Sequence, residues 1–85
     1  MEFDYRKLRG RIKEVFETQD CFAKALGIGK VSLSRRLNNL LEFSGKEIYE
    51  SCMLLEIPTD EIPIYFFNPK VQESEPKKQP EKQPA

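Results

Sequence analysis

Residues 18–38 decide the fold, and they read TQDCFAKALGIGKVSLSRRLN. Thr18 is a favourable N-cap for a helix, because its hydroxyl can accept a hydrogen bond from an amide of the first turn, and Asp20 complements the positive end of the helix dipole. The apolar residues that recur at helical spacing after this cap are Phe22, Ala23 and Leu26. Gly27 follows them where a left-handed residue ends a helix, a conformation that glycine adopts without strain. The segment is therefore predicted to begin with a short helix that stops at Gly27.

A second helix is predicted almost immediately after this turn. Leu33 and Leu37 lie one helical turn apart, which indicates a helix over about residues 30–38. The pair Asn38-Asn39 closes it, since asparagine tolerates left-handed backbone and bonds well to its local surroundings. Ile28 is apolar inside the turn and can fill the space beneath it. Two helices joined at a glycine turn, with one shared apolar surface, form the skeleton of a helix-turn-helix.

Helical patterns flank this pair on both sides. Apolar side chains at helical spacing predict an amphipathic helix over about residues 5–16. Ser44 and Glu47 match a capping box, which places a further helix at about residues 45–55. Thr59 can cap one more helical turn. Pro63 would remove a hydrogen bond deeper inside a helix, so only a single turn is predicted there.

The next segment, residues 64–67, reads IYFF and is β-prone, and it ends at Asn68-Pro69. Two interpretations are open: an apolar plug on the core, or an edge strand that pairs with its symmetry mate in a dimer. We favour the edge strand. The sequence thus predicts an all-α domain over residues 1–71 with this short C-terminal edge strand.

The remaining residues, 72–85, contain three prolines and balanced Lys and Glu, and they are predicted to be a disordered tail. No apolar run approaches the roughly 20 residues of a membrane span, and the first residues lack the apolar segment of a signal peptide. We therefore expect a cytoplasmic protein that does not engage membranes. Cys21 and Cys52 lack the spacing of a zinc site or a disulfide framework and are interpreted as reduced, partly buried thiols. No metal or other cofactor is expected.

Charge is balanced overall, with 14 basic and 14 acidic residues, but it is unevenly distributed. Residues 6–41 carry nine bases against three acids, whereas residues 42–71 carry six acids against two bases. Within the basic half, residues 21–41 contain four bases and no acid, as a surface facing phosphates would. On charge alone, a solvated basic helix face is an equally good interpretation.

The outward positions of the second helix of the pair suggest contacts with DNA. In the major groove, Lys or Arg can donate to guanine acceptors, and a small apolar side chain can touch a thymine methyl. The residues expected to contact base edges are Lys30, Val31, Ser32 and Arg35. The residues expected to contact phosphates are Gln19, Ser34, Asn38 and Asn39.

The order of these residues resembles the helix-turn-helix superfamily of lambda repressor and Cro. The matching pattern, T-Q-x-x-F-A-x-x-L-G-I-x-x-x-x-L-S-x-x-L-N, starts at Thr18, and the likeness extends over about residues 5–55. Residues 57–71 look like the ends of small regulators of temperate phages in Gram-positive bacteria. The resemblance implies a compact five-helix fold and a homodimer on partly palindromic, double-stranded operator DNA in a bacterial host cell. It also implies that Gln19 and Lys30 occupy phosphate-contact and base-contact positions.

Two positions depart from that pattern. Most members have Ser or Thr where this chain has Gly29, and glycine is a weaker cap for the recognition helix. Leu40-Leu41 stands where such proteins more often continue with polar residues. We favour the interpretation that both leucines pack beneath the following loop, and the alternative is that one is exposed and contacts a partner chain.

The main functional interpretation is a sequence-specific DNA-binding transcription regulator, a phage repressor or Cro-like protein that inserts its third helix in the operator major groove. The alternative is an antirepressor or modulator that binds another phage regulator protein. Its support is the acidic second half, the apolar residues 65–67 and the exposure of Leu40 or Leu41 that the alternative interpretation of that pair allows. An antitoxin whose tail folds on a toxin has less support, because the tail has little apolar surface to bury. An enzyme is not expected, since the chain has no histidine, no cysteine-based dyad and no phosphate-binding loop.

Overall fold

A computed structural model describes residues 2–70 of the chain, and the predicted tail at 72–85 lies outside them. The described part is all-α, as predicted, and contains five α-helices with a single 3₁₀ turn before the last. The elements in chain order are α1 (Arg6–Phe16), α2 (Gln19–Leu26), α3 (Lys30–Leu37), α4 (Gly45–Leu55), the 3₁₀ turn (Thr59–Glu61) and α5 (Ile62–Phe66). None of these helices has the length and apolar character needed to cross a bilayer.

The helix ends in the middle of the chain follow the capping signals of the sequence. The Thr18 hydroxyl accepts a hydrogen bond from the Cys21 amide at 3.1 Å, and Gly27 ends α2 with a left-handed φ of 85°. At α4 the capping box is complete, with the Ser44 hydroxyl accepting from the Glu47 amide and the Glu47 carboxylate accepting from the Ser44 amide. The first turns of α2 and α4 form because these side chains satisfy backbone donors that a helix leaves without partners, whereas α2 ends because glycine adopts the left-handed conformation without strain.

The core lies where α2 packs against α1, α3 and α4, and α5 covers the far side of α1. Its buried apolar residues come from all five helices and the segments beside them: Tyr5, Leu8, Ile12, Phe22, Ala23, Leu26, Leu33, Leu37, Cys52, Leu55, Ile57 and Phe66. Ala23 is fully buried between the two helices of the pair and their neighbours. A small side chain there lets the neighbouring helices approach α2 closely.

The predicted edge strand at residues 64–67 is wrong, because residues 64–66 are helical and Phe67 is the residue at which that helix ends. The 3₁₀ turn leads directly into α5, and Pro63 lies in the first turn of that helix, where a missing amide costs no hydrogen bond. Phe66 then faces inward while Ile64 and Phe67 face outward. Residues 64–66 are therefore not available as the edge strand that was expected to pair with a symmetry mate.

Strand-like pairing occurs instead between the two ends of the described chain. The Asp4 amide donates to the Asn68 carbonyl at 2.7 Å, and the Lys70 amide donates to the Glu2 carbonyl at 3.0 Å, on either side of a bridge between Phe3 and Pro69. These bonds hold the N-terminal segment beside the end of α5. They give hydrogen-bond partners to backbone groups that could otherwise pair with a strand of another molecule.

Two further predictions about side-chain burial are wrong. Cys21 is exposed and only Cys52 is buried, because the inward stripe of α2 begins at the next residue, Phe22. Both leucines of the Leu40-Leu41 pair are exposed, with 71% and 43% of their surface accessible. Their amides bond to the Arg35 carbonyl, so the backbone folds back on the end of α3 while the side chains point outward.

Candidate functional site

The outer face of α3 holds the residues that the sequence assigned to base contacts. Lys30, Val31 and Arg35 are exposed there, with Val31 at 67%, and Ser32 is half-buried. Gly29 begins the helix without a side-chain cap. The helix-turn-helix thus places the four predicted residues on one short helix, as expected from their spacing.

Residues 21–41 contain no acid, but in the folded chain acidic side chains from outside this stretch lie beside two of its four bases. Lys24 forms an ion pair with Asp20 at 3.8 Å, one helical turn before it. Arg36 forms a second ion pair with Glu47, which α4 contributes, at 2.9 Å. Among residues 2–70, this leaves Lys30 and Arg35 as the bases of the stretch that make no ion pair. Counting charges within residues 21–41 misses both acids. Asp20 lies one residue before the stretch, and Glu47 is distant in sequence and comes close to Arg36 only in the folded chain.

The Arg36–Glu47 ion pair is the contact that the sequence analysis missed. Two nitrogens of the Arg36 guanidinium donate to the two oxygens of the Glu47 carboxylate, at 2.9 and 3.1 Å. The same guanidinium also donates to the backbone carbonyl and the hydroxyl of Ser32. Hydrogen bonding from Arg36 lowers the pKa of Glu47, although partial burial opposes the shift. Ser32 is therefore half-buried, and its hydroxyl already accepts a hydrogen bond from Arg36.

The residues predicted to contact phosphates are also largely engaged within the chain. The Asn38 amide nitrogen donates to the Ser34 carbonyl at 2.9 Å, and its oxygen accepts from Arg9 at 3.1 Å. Asn39 accepts from the Phe3 amide at 2.9 Å and donates to the Phe3 carbonyl at 3.0 Å. Gln19 is half-buried at the start of α2, and Ser34 is half-buried on α3.

Asn39 acts as a clamp between the loop after α3 and the N-terminal segment. Its backbone is left-handed, with φ of 63°, as the sequence predicted for this position. Its side chain bonds both backbone groups of Phe3 in the way that a strand would. The loop at residues 38–44 is thereby fixed against the segment that also pairs with the end of α5.

Beside this clamp lies a groove of about 330 Å³, which we call the aromatic groove. It opens between the loop after α3, the N-terminal segment and the end of α5. Its lining residues are Phe3, Tyr5, Asn39, Leu41, Glu42, Phe43, Ile48, Phe66 and Phe67. Leu41 and Phe67 form its exposed apolar edge, with 43% and 48% of their surfaces accessible.

Glu42 is the charged residue in the lining of the aromatic groove. Within residues 2–70 it makes no ion pair, whereas the carboxylates of Asp4, Glu47 and Glu50 each have a basic partner. Burial raises the pKa of the Tyr5 phenol, and the negative charge of Glu42 adds to that shift. The groove is therefore lined by aromatic and aliphatic side chains together with polar surface, and Glu42 supplies its one carboxylate.

A second exposed apolar feature lies on the outer face of α4. Tyr49 and Met53, one turn apart, have 63% and 65% of their surfaces accessible. Glu50 on the same face is paired with Lys46 at 3.9 Å, an exposed pair within one helix. Neither Tyr49 nor Met53 lines the groove found beside Asn39.

Comparison with known proteins places these features in context. A family model described as "Protein of unknown function (DUF739)" matches residues 1–69. None of the curated proteins matches the chain. Among solved structures, the chain is similar to the modulator of repression (MOR) of the temperate bacteriophage TP901-1 from Lactococcus lactis. The identity is 39%, the match covers 85% of this chain and 97% of that chain, and the TM-score is 0.71.

This similarity overturns the main functional interpretation of the sequence. A DNA-binding repressor or Cro-like protein that reads an operator with α3 was expected, and the similar structure is instead that of a modulator of repression. The bacteriophage link inferred from residues 57–71 is supported by the same comparison. The helix-turn-helix skeleton was identified correctly, but a fold does not determine the function built on it.

Proposed function

The chain belongs to the DUF739 family of proteins of unknown function, and from that premise we propose that it modulates repression in a bacteriophage by binding another regulator protein. The observation that carries the proposal is the similarity to the phage modulator of repression, which extends over nearly all of that protein. At 39% identity, the likeness concerns the sequence as well as the fold. The proposal includes action in the cytoplasm of the bacterial host, where phage genes are expressed.

The surface of the molecule supports binding to protein. In the described residues, eight large hydrophobic side chains are exposed, namely Val15, Val31, Leu40, Leu41, Tyr49, Met53, Ile64 and Phe67. Single exposed hydrophobic residues are ordinary, but contiguous apolar surface marks interaction sites. Leu41 and Phe67 meet this condition, because both line the aromatic groove.

The helix-turn-helix supports the proposal in a second way. Residues 18–38 carry the pattern of the lambda repressor and Cro superfamily, and we propose that the chain shares its α2–α3 unit with such proteins. Here the basic side chains of that unit are partly neutralised by Asp20 and Glu47. A protein that acts by binding another regulator does not need free basic side chains to contact bases in the DNA major groove. The neutralisation is therefore compatible with a protein partner.

The proposal is tested by calorimetric titration of the full chain into the purified, full-length repressor of the same phage. We expect saturable binding with a Kd of about 1 μM or tighter, which corresponds to about −8 kcal/mol. Because the chain is proposed to modulate repression, it should also change the repressor's affinity for operator DNA, measured by a gel shift with and without the chain, and operator DNA should change the repressor's affinity for the chain by the same factor.

The matched control is the repressor of an unrelated phage, which should neither bind nor change its operator affinity. The chain alone, titrated against the operator at physiological salt, should bind only weakly, and this binding should disappear when the salt concentration is raised. Absence of binding to the repressor, together with unchanged operator affinity, would contradict the proposed function.

A further inference from the structure

We propose that the aromatic groove receives an apolar side chain of the partner regulator and that Glu42 pairs with a Lys or Arg beside that side chain. The inference rests on the proposed function, since it names the surface by which the regulator is bound. It commits the site to a partner segment with one large apolar residue and one nearby base.

The first argument is the rigidity of the groove. Asn39 bonds both backbone groups of Phe3, and the ring of Phe3 packs edge-on against that of Phe67, with centroids 5.6 Å apart. Edge-on contacts also join Tyr5 to Phe43 at 5.6 Å and Phe43 to Phe66 at 5.3 Å. Walls that are already held in place lose little conformational freedom on binding, so more of the contact energy appears as affinity.

The second argument is the apolar edge of the groove. Leu41 and Phe67 remain nearly half exposed although they line a recess of about 330 Å³. A recess of that size accommodates an aromatic or branched aliphatic side chain, and filling it would remove both edge residues from water. Buried apolar anchors in well-formed pockets carry most of the affinity of protein interfaces.

The third argument is charge. Glu42 lines the groove and makes no ion pair within residues 2–70, and none of the other lining residues is basic. An apolar side chain alone would leave this carboxylate beside a desolvated surface without a partner, which is unfavourable. A Lys or Arg of the partner supplies the complementary charge, and such a pair selects the partner and its orientation.

The outer faces of α4 and α3 fit a partner less well. Tyr49 and Met53 stand on a convex helix whose acid, Glu50, is already paired with Lys46. Val31 is the exposed large apolar residue of α3. The charges without an ion pair beside Val31 are the bases Lys30 and Arg35, whereas the aromatic groove combines a recess with an acid that has no ion pair within residues 2–70.

The test compares four variants of the full chain by calorimetric titration against the repressor of the same phage. Leu41→Asp and Glu42→Lys alter the groove, and each should weaken binding by about tenfold. Met53→Asp and Glu50→Lys make the same chemical changes on α4, and each should bind within about twofold of the unchanged chain. All four positions are at least partly exposed, and thermal unfolding checks that each variant is folded.

A second measurement is an amide chemical-shift titration of the labelled chain with the repressor, in which the largest shifts should occur around residues 39–43 and 66–68. The inference is overturned if the groove variants bind as the unchanged chain does, or if the α4 variants weaken binding equally. In either of those results the unchanged chain still binds, so the proposed function survives. Failure of the unchanged chain to bind contradicts the proposed function and the inference together.

Discussion

Replacing Phe66 with alanine is expected to lower the free energy of unfolding by about 3–5 kcal/mol. The Phe66 side chain is 1% exposed, and its ring packs edge-on against Phe43 at 5.3 Å. Removing the ring takes away buried apolar surface and leaves a cavity beneath the aromatic groove. Small domains are stable by only about 5–15 kcal/mol, so the variant should lose much of its stability. Urea denaturation followed by circular dichroism measures the change.

The matched control for this prediction is Ile64→Ala. Ile64 is in the same helix but 45% exposed, so truncation should cost less than about 1 kcal/mol. The pair of variants also distinguishes the helix from the strand that the sequence suggested. In a strand, residues 64 and 66 would share a face and respond alike. Equal losses for Ile64→Ala and Phe66→Ala would contradict the helical assignment of residues 62–66.

Replacing Glu47 with alanine is expected to cost about 2 kcal/mol of stability. The change removes one half of the capping box of α4, and it leaves the Arg36 guanidinium, whose side chain is 14% exposed, without its carboxylate. A helix cap and an ion pair usually contribute to stability through different residues, but here both depend on the Glu47 carboxylate. Chemical denaturation of the variant beside the unchanged chain gives the difference.

Glu50→Ala provides the control, because Glu50 pairs with Lys46 on the surface of the same helix at 3.9 Å. Exposed pairs of this kind contribute little, and the expected loss is below about 0.5 kcal/mol. If Glu47→Ala were no more destabilising than Glu50→Ala, the Arg36–Glu47 contact would have no structural role.

The same ion pair predicts a dependence of stability on pH. Hydrogen bonding from Arg36 holds the pKa of Glu47 below its ordinary value of 4.5 in the folded state. A lowered folded pKa means that the stabilisation is fully present above the unfolded pKa and is lost as the pH falls through the folded one. The difference in unfolding free energy between the unchanged chain and Glu47→Gln should therefore be constant from pH 6 to 8 and shrink below about pH 4.5. A difference that stays constant down to pH 3 would contradict the ion pair.

The helix-turn-helix of this protein shows how a recognisable motif can mislead about function. The pattern from Thr18 to Asn38 and its exposed Lys30 and Arg35 suggested operator recognition, and the positions of these residues on α3 are as expected. The similarity to a phage modulator of repression shows that the inference from motif to DNA reading was wrong. The acidic second half and the exposed Leu40-Leu41 pair were the features that indicated a protein partner.

The sequence by itself determined the helices whose ends depend on neighbours in the chain. Thr18, Gly27 and the Ser44–Glu47 box act on backbone groups only two or three residues away, so their effects can be read without the fold. Helical spacing likewise identified the buried residues of α2 and α3, because the inward stripe of a helix is a property of its own sequence. Four helices and the 3₁₀ turn were predicted on this basis.

Only the tertiary structure decided the rest, since it depends on residues distant in the chain. Residues 64–67 have strand propensity, but a helix forms over residues 62–66, where the preceding turn leads into it and Phe66 packs against Phe43. Arg36 meets Glu47 from another helix, and Asn39 meets Phe3 across 36 positions. The aromatic groove gathers residues from 3 to 67, so no local pattern could have indicated it. Propensity and capping are local energies, whereas ion pairs and grooves arise only when packing brings separate segments together.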